Sequence, residues 1–314
     1  MSCETPPLGL GCWAFGADFW MHQRHEDSVR TLREAYDRGV RHFDTAASYG
    51  NGRSEQLIGQ QLRTVRDRIT IATKGLYHPP PHVEAGIRKS LRRLSTDYVD
   101  IYYIHWPKPD IDLRPMVEAL EKARARGLVR YLGVSNFSRE QILPLLEAGT
   151  IDYCQFGYNL IWRGAERELI PFCIEKDIRP VTYGSLAEGL LAGENRLPSR
   201  LPQEDPRRRL VFCRPEIAPR VEAVLERIFA FAGEAGIAPG TLALAWNMSR
   251  PWARTVLFGA RTPGQLAENL RAREVLDAWD SSMESRLDEL TGGLSELFCE
   301  LFGGDENMFG HRPR

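Results

Sequence analysis

FDTAASYGNGRSE, residues 43–55, is the most informative segment of this sequence. A short β-prone stretch leads into Asp44, a run of small residues follows, and Tyr49 precedes the glycines Gly50 and Gly52. An acid at the end of a short strand and a tyrosine on the loop after it suit proton transfer better than packing. Because free tyrosine has a pKa of about 10, Tyr49 needs a nearby cation or a relay partner to act as an acid near neutral pH.

A candidate cation and a candidate relay partner occur at Lys74 and His105, each directly after a short strand-like stretch. A Lys74 ammonium paired with Asp44 would favour the ionised form of Tyr49 and so make it a stronger acid. His105 would hydrogen-bond the substrate oxygen that Tyr49 protonates. An isolated Asp–Lys pair or strand-end histidine is most often structural. All four residues at successive strand ends, however, predict one catalytic group that protonates a carbonyl oxygen as hydride reaches its carbon.

The whole chain alternates between strand-like and helix-like stretches. We expect strands at 8–11, 40–44, 69–73, 98–104, 128–134, 151–156, 179–183 and 255–258. We expect helices at 27–38, 54–62, 82–94, 113–126, 138–148, 166–176, 216–235, 241–248 and 263–273, followed by two short helices. This order predicts an α/β fold in which a parallel sheet is covered by helices, and about eight such units fit one (β/α)8 TIM barrel.

A doubly wound sheet is the alternative fold. It would normally carry a GxGxxG nucleotide motif near its start, and the spacing of Gly9, Gly11 and Gly16 does not match. The barrel is therefore favoured. We expect a single barrel domain over 1–302, with extra C-terminal helices and a long proline- and arginine-rich loop after the seventh strand, at 190–214. The glycine-rich end, 303–314, is interpreted as a mobile tail.

Composition excludes several classes of partner. The formal net charge of −1 gives no reason to expect nucleic acid or an acidic membrane as a partner. No apolar run reaches the length of about 18 residues that a membrane span needs. The start of the chain lacks a signal-peptide pattern. Six scattered cysteines without a CxxC pair indicate a reducing cytoplasm and no disulfide framework. His22 and His25 lack ligand partners at a recognisable spacing, so we expect no metal site.

The chain resembles the aldo-keto reductases over nearly its whole length. GVRHFDTAASYGNGRSEQLIG, residues 39–59, is similar to the first signature of that family almost throughout. The resemblance implies that Asp44, Tyr49, Lys74 and His105 form the catalytic tetrad, with Tyr49 as the general acid.

Further motifs of the same family imply a site for NADP(H). GVSNF, residues 133–137, resembles the clamp on the nicotinamide amide, and GARTPGQLAENL, residues 259–270, resembles the adenosine-phosphate site. A long loop after the seventh strand closes over the cofactor in this family. The implied cofactor-binding residues are Ser135, Asn136, Gln155, Tyr183, Gly184, Leu186, Gly259, Arg261, Gln265 and Asn269, with Tyr183 stacked on the nicotinamide ring and the basic Arg261 favouring NADPH over NADH.

The residues themselves support part of this cofactor site. Thr262 is a plausible N-cap and Pro263 fits the first turn of a helix. A helix start with free backbone donors beside Arg261 suits a phosphate, although a plain capped helix would look the same. Where the family often has Ser-Pro after the stacking tyrosine, this chain has Gly184 and Ser185, which leaves the pyrophosphate contacts of the loop open.

Aromatic residues near the predicted rim suggest a substrate pocket. Trp13, Phe15, Trp20 and Trp106 would bind a flat or apolar carbonyl compound, or would serve the core or a lid.

We therefore expect a cytoplasmic NADPH-dependent reductase of aldehydes or ketones that acts on a small molecule and is a monomer or a small homo-oligomer. The first alternative is a regulatory protein of the same fold that keeps NADPH as a ligand and has little turnover. A metal-dependent barrel hydrolase is a second alternative. Serine hydrolase chemistry is disfavoured because the contexts of Ser135 and Ser185 lack GxSxG.

Overall fold

Eight parallel strands close into a barrel in which the last strand pairs with the first. The computed structural model describes residues 8–18, 20, 22–108, 110–302 and 308. The strands are β1 (Leu8–Gly11), β2 (His42–Asp44), β3 (Thr70–Gly75), β4 (Val99–Ile104), β5 (Val129–Ser135), β6 (Tyr153–Gly157), β7 (Arg179–Tyr183) and β8 (Thr255–Gly259). The predicted (β/α)8 TIM barrel is confirmed.

Helices surround the barrel in the order expected from the sequence. They are α1 (His25–Asp37), α2 (Arg53–Leu62), α3 (Pro80–Leu94), α4 (Arg114–Ala125), α5 (Arg139–Ile142), α6 (Leu169–Glu175), α7 (Ala218–Glu234), α8 (Pro239–Met248), α9 (Pro263–Leu270), α10 (Ala272–Asp277) and α11 (Ser281–Phe302). Their apolar faces and one face of the strands form the main core. A smaller apolar cluster fills the barrel interior: Ala72, Ile101, Tyr103, Tyr153, Val181 and Leu257.

Three helix predictions differ from the structure. The predicted helix 138–148 is α5 followed by a 3-10 helix at Leu143–Glu147, because Pro144 cannot donate a backbone hydrogen bond. The predicted helix 263–273 is divided at Arg271 into α9 and α10. In place of a pair of short helices at the end, α10 is followed by α11, which has 22 residues. Apart from Met308, the predicted mobile tail 303–314 lies outside the described residues.

Strand register brings the ends of the strands to one rim. Asp44 is level with Gly11 of β1, Lys74 with Tyr103 of β4, and Ser135 with Gln155 of β6. Because all strands are parallel, residues at their carboxyl ends face the same side of the barrel. The long loop after β7 contains five short 3-10 helices before α7 begins.

No single helix among the described residues is long and apolar enough to cross a membrane. The consecutive helices α7 and α8, bent by 94° relative to each other, pass the length and composition test only as a pair. Residues 240–247 of α8 are buried inside the protein. Cys12, Cys154, Cys173 and Cys213 are free thiols.

Candidate active site

A cavity of about 720 Å³ opens at the carboxyl ends of the strands. Most residues predicted to form the site line this cavity: Trp13, Trp20, Asp44, Tyr49, His105, Trp106, Ser135, Asn136, Gln155, Tyr183, Gly184, Leu186, Gly259, Arg261, Gln265 and Asn269. Lys74 is 1% exposed and lies behind the wall. Phe15 is the one predicted residue that the structure places elsewhere.

Lys74 connects the catalytic candidates. Its Nζ donates to Oδ1 of Asp44, to the carbonyl oxygen of Thr45 at 2.9 Å, and to Oη of Tyr49 at 3.4 Å. The ammonium and the Asp44 carboxylate are both almost fully buried. A buried charge of either sign is stabilised only when it is paired and hydrogen-bonded. The pair therefore holds a fixed cation within hydrogen-bonding distance of the Tyr49 hydroxyl.

The net electrostatic effect on Tyr49 is opposite to the sequence-based expectation. Burial, followed by the negative charge of Asp44, raises the pKa of the Tyr49 phenol well above its ordinary value. We expected Lys74 to make this phenol a stronger acid, but Asp44 already pairs with the ammonium and the cavity wall removes water. Tyr49 consequently keeps its proton at ordinary pH. Proton loss then requires a negative charge to develop on an oxygen beside it.

His105 is neutral at ordinary pH. Burial, assisted by the charge of Lys74, lowers the pKa of the imidazole to about 3. Its ring lies edge-on to Tyr49, with centroids 5.7 Å apart, and its Nδ1 is 3.4 Å from the Ser48 hydroxyl. A neutral ring can donate one hydrogen bond and accept another. His105 is therefore suited to hydrogen-bond a substrate oxygen next to the phenol.

Hydrogen bonds also connect the predicted nicotinamide clamp to the catalytic group. Nε2 of Gln155 donates to Oδ2 of Asp44 at 2.8 Å. The Ser135 hydroxyl is 3.5 Å from Oε1 of Gln155 and accepts from Nδ2 of Asn136 at 3.1 Å. The Tyr183 hydroxyl donates to Oδ1 of Asn136 at 2.6 Å. These groups form a polar wall of amides and hydroxyls beside Tyr49.

The opposite end of the cavity has the features of a phosphate site. Thr262 caps α9 by accepting from the backbone N–H of Gln265, and the Gln265 side chain in turn accepts from the N–H of Arg261. Asn269 donates to the carbonyl oxygen of Gly259 at 3.0 Å. A Cβ at Gly259 would meet no atom within 4 Å, so a ligand can approach the backbone there. These donors fit the phosphate-bearing end of a dinucleotide.

Several cavity-lining residues were not singled out from the sequence. Asp18, Ser48, Glu188, Arg196 and Arg209 lie on loops whose course the sequence does not predict. Arg196 and Arg209 fall in the arginine-rich loop that the family resemblance implies will close over the cofactor, and burial with the charge of Arg196 lowers the pKa of Arg261. The sequence signal for Glu188 is an isolated acid in a run of small and apolar residues.

The aromatic candidates divide into two groups. Trp13 packs 6.3 Å from Tyr49, and Trp106 stacks on His105 at 6.1 Å, so both lie at the catalytic end. Trp20 packs on Trp13 and also lies 5.8 Å beneath the Arg261 guanidinium. Phe15, by contrast, is 2% exposed in the hydrophobic core. The 3-10 helix at Trp13–Gly16 turns Trp13 toward the cavity and Phe15 away from it.

Metal ligands do not cluster in the described part of the chain. No group of three or more His, Cys, Asp and Glu side chains placed to hold a metal ion occurs there.

Comparison with known proteins identifies the family. A model described as the aldo/keto reductase family matches residues 7–291. The aldo-keto reductase YhdN of Bacillus subtilis is 31% identical over 298 residues, covering 91% of this chain and 89% of that protein. The NADH-specific methylglyoxal reductase of Escherichia coli is 28% identical over 294 residues, covering 85% of this chain and 90% of that protein.

Solved structures agree with the sequence comparison. An aldo/keto reductase from Klebsiella pneumoniae, determined in complex with NADP and acetate, is 29% identical to this chain. It superposes with a TM-score of 0.72 over 91% of this chain and 92% of that one. Since the family model spans the entire barrel and a relative above 30% identity covers nearly the full length, the chain belongs to the aldo/keto reductase family.

Proposed function

We propose that the protein reduces aldehyde or ketone carbonyls to alcohols with NADPH, reversibly, and that Tyr49 is the general acid. The observation that carries this assignment is the Tyr49 hydroxyl, 3.4 Å from Nζ of Lys74 and beside His105 on the wall of the cavity. The three side chains come from three different strand ends, where barrel enzymes place their chemistry.

Each catalytic side chain has a distinct role. Tyr49 donates its proton to the carbonyl oxygen as negative charge develops there. The neutral His105 orients that oxygen by a hydrogen bond. Lys74 stabilises the phenolate left behind, and Asp44 holds the ammonium in place. In the direction of alcohol oxidation, the same groups take the proton back.

The remaining cavity fits NADP(H). When bound, NADPH supplies the hydride that is added to the carbonyl carbon. Ser135, Asn136 and Gln155 offer amide and hydroxyl groups for the nicotinamide amide, and Tyr183 offers an aromatic face. At the far end, Arg261 and the start of α9 offer donors for the adenosine phosphate.

We also propose that the protein acts in the cytoplasm as a monomer or a small homo-oligomer. The four cysteines whose side chains the structure describes are free thiols, which fits a reducing compartment.

Substitution of Tyr49 by Phe tests the assignment. We expect Tyr49→Phe to lower kcat for aldehyde reduction by about 10²- to 10⁴-fold, the usual contribution of a general acid. NADPH should bind with unchanged affinity, because the aromatic ring remains. The measurements are steady-state turnover followed by NADPH absorbance and a fluorescence titration of NADPH.

Tyr98→Phe is a matched control. Tyr98 packs between Arg66 and Arg130 just before β4, at the other end of the barrel, so turnover should be unchanged. Unchanged turnover in Tyr49→Phe would refute the role of the phenol. A wild-type protein that binds NADPH yet turns over no aldehyde, ketone or alcohol would instead support the regulatory alternative.

A further inference from the structure

One carboxyl group in the cavity has no part in the mechanism above. Glu188 lies on the wall in the loop after β7, and its Oε1 is 3.4 Å from the position that a Cβ would take at Gly184. Gly184 directly follows Tyr183, whose ring faces the predicted nicotinamide. The acid therefore lies between the catalytic end of the cavity and the arginine-rich end.

The backbone is strained where it holds this carboxyl. Ala187, Glu188 and Gly189 have consecutive φ values of +48°, +53° and +91°. The first two are not glycine, and side chains rarely adopt left-handed backbone conformations. Strain of this kind persists where the surrounding structure requires it, often at ligand sites. Here the turn directs the Glu188 side chain into the cavity.

Within the described part of the chain, Glu188 forms no hydrogen bond or ion pair. The cation whose charge acts on it is Arg207, which is already engaged by Asp205 through Nε at 2.9 Å and Nη2 at 2.6 Å. Nη1 of Arg207 is buried, without a hydrogen-bond partner among the described residues, and lies 3.5 Å from the Cβ position of Gly189. The Glu188 carboxyl on the cavity wall thus has unused hydrogen-bonding capacity, and so does the buried Nη1 of Arg207 near the same turn.

A dinucleotide that lies along this cavity has to pass the left-handed turn that carries Glu188. The wall from Gly184 through Leu186 and Ala192 to Arg196 joins the catalytic end to the Arg261 end. The pyrophosphate of the cofactor is the negatively charged part between its two ends. An ionised Glu188 opposes that charge in a space with little water, whereas a neutral carboxylic acid can donate a hydrogen bond to a phosphate oxygen.

We propose that the protonation state of Glu188 sets the affinity of this protein for NADP(H), with the neutral acid favouring the bound cofactor and the carboxylate opposing it. This inference rests on the proposed function, because it requires the cofactor to lie along the loop after β7. Glu188 is then a cofactor-binding residue whose charge makes binding sensitive to pH.

Burial raises the pKa of Glu188 to about 7, although Arg207 partly offsets this effect. The other groups that face it do not change charge near that pH. Burial raises the pKa of Tyr49 and of Tyr183 above their ordinary values, and arginine stays protonated in proteins. The charged groups farther around the wall are Asp18, which accepts from the backbone N–H of Gly50, Asp44, which pairs with Lys74, the Glu268 carboxylate, and the guanidinium groups of Arg196, Arg209 and Arg261.

The test is an equilibrium titration of the full-length protein with NADPH, NADP⁺ and NADH across the pH range. If the bound pyrophosphate raises the pKa of Glu188 by about one unit, affinity falls about ten-fold from about pH 6 to about pH 9. NADH lacks the 2′-phosphate, so any pH dependence of its affinity cannot come from protonation of that phosphate. Glu188→Gln should abolish most of this slope and hold the affinity near the wild-type value at low pH.

Two further variants make the result specific. Glu188→Asp keeps an ionisable acid on the turn and should keep a pH-dependent affinity. Glu194→Gln removes an exposed carboxylate from the same loop, outside the cavity lining, and should reproduce the wild-type slope.

A Glu188→Gln protein with the wild-type slope would overturn the inference. An effect confined to NADP⁺ would also overturn it, since the charge would then act on the oxidised nicotinamide ring and not on the pyrophosphate. A wild-type protein that binds no nicotinamide dinucleotide would instead contradict the proposed function.

Discussion

The two ends of the cavity are built differently. At the catalytic end, Lys74 of β3 and Gln155 of β6 both hydrogen-bond Asp44 of β2, so all three groups are held by barrel strands. At the other end, the wall is a loop of 3-10 helices and left-handed residues whose arginines carry mutually repelling charges. The difference suggests that proton transfer and nicotinamide binding belong to the half built on strands, and phosphate binding to the half built on loops. Substitutions in the two halves should therefore change different quantities.

Lys74→Met should have the largest effect, on both stability and turnover. It leaves the buried Asp44 carboxylate without its cation, and breaking a buried ion pair on one side costs about 3–5 kcal/mol of unfolding free energy. Turnover should fall as well because no ammonium remains beside Tyr49. Denaturant unfolding and steady-state kinetics measure the two effects.

Lys89→Met provides the control, because Lys89 is exposed on α3 and its loss should change neither quantity. If Lys74→Met were as stable as the wild type, the buried ion pair would not contribute to the stability of the catalytic end.

Arg261→Ala should affect the other half, with a smaller and more selective result. Loss of a charge-assisted hydrogen bond to the adenosine phosphate costs about 1.5–3 kcal/mol, which corresponds to a roughly ten- to hundred-fold weaker Kd for NADPH. Affinity for NADH, which lacks that phosphate, should change little, and kcat at saturating NADPH should be retained. Fluorescence titrations with both cofactors provide the measurement.

Arg254→Ala is the matched control, since Arg254 is exposed just before β8 at the opposite end of the barrel. A fall in kcat at saturating cofactor for Arg261→Ala would show that the two halves are coupled after all.

The smallest expected effect is on the unfolding free energy at low pH, and it comes from a histidine on a barrel strand. His42 on β2 is fully buried, neither ring nitrogen has a hydrogen-bond partner among the described residues, and burial lowers its pKa to about 4. Unfolding restores a pKa near 6.5, so the unfolded chain binds more protons below that pH. The neutral His42 therefore costs no unfolding free energy above about pH 6.5, and the protein loses unfolding free energy as the pH falls below that value.

Between about pH 7.5 and about pH 5.5 this histidine should remove about 1.4 kcal/mol of unfolding free energy. His42→Leu should lose less stability over the same interval, measured by denaturant unfolding at each pH. An equal loss of unfolding free energy in the two proteins would show that His42 accepts its proton in the folded barrel as readily as in the unfolded chain.

The sequence predicted the catalytic end of the cavity well for a physical reason. Short apolar strands alternating with amphipathic helices allow few topologies, and a closed parallel barrel brings all strand ends to one rim. Asp44, Tyr49, Lys74 and His105 could therefore be brought together without coordinates. Their electrostatic environment could not be predicted, because burial and the charge of Asp44 raise the pKa of Tyr49, and the depth of burial does not follow from the sequence.

Some features outside the strands escaped prediction because their geometry depends on single residues. Phe15 was expected in the pocket, yet one turn of 3-10 helix directs it into the core. Glu188 was overlooked because its position depends on a left-handed turn that no periodicity reveals. The 22-residue length of α11 was not expected, and this helix continues through Gly292 and Gly293 although glycine disfavours a helix interior.

The hydrogen bond from Gln155 to Asp44 has a consequence for redesign. One oxygen of the acid is held by Lys74 and the other by an amide predicted to face the nicotinamide. A replacement on β6 intended to alter cofactor recognition would thus also disturb the proton donor. Engineers who want a new cofactor preference should leave β6 unchanged and vary the turn before α9, which forms no hydrogen bond to this carboxylate among the described residues.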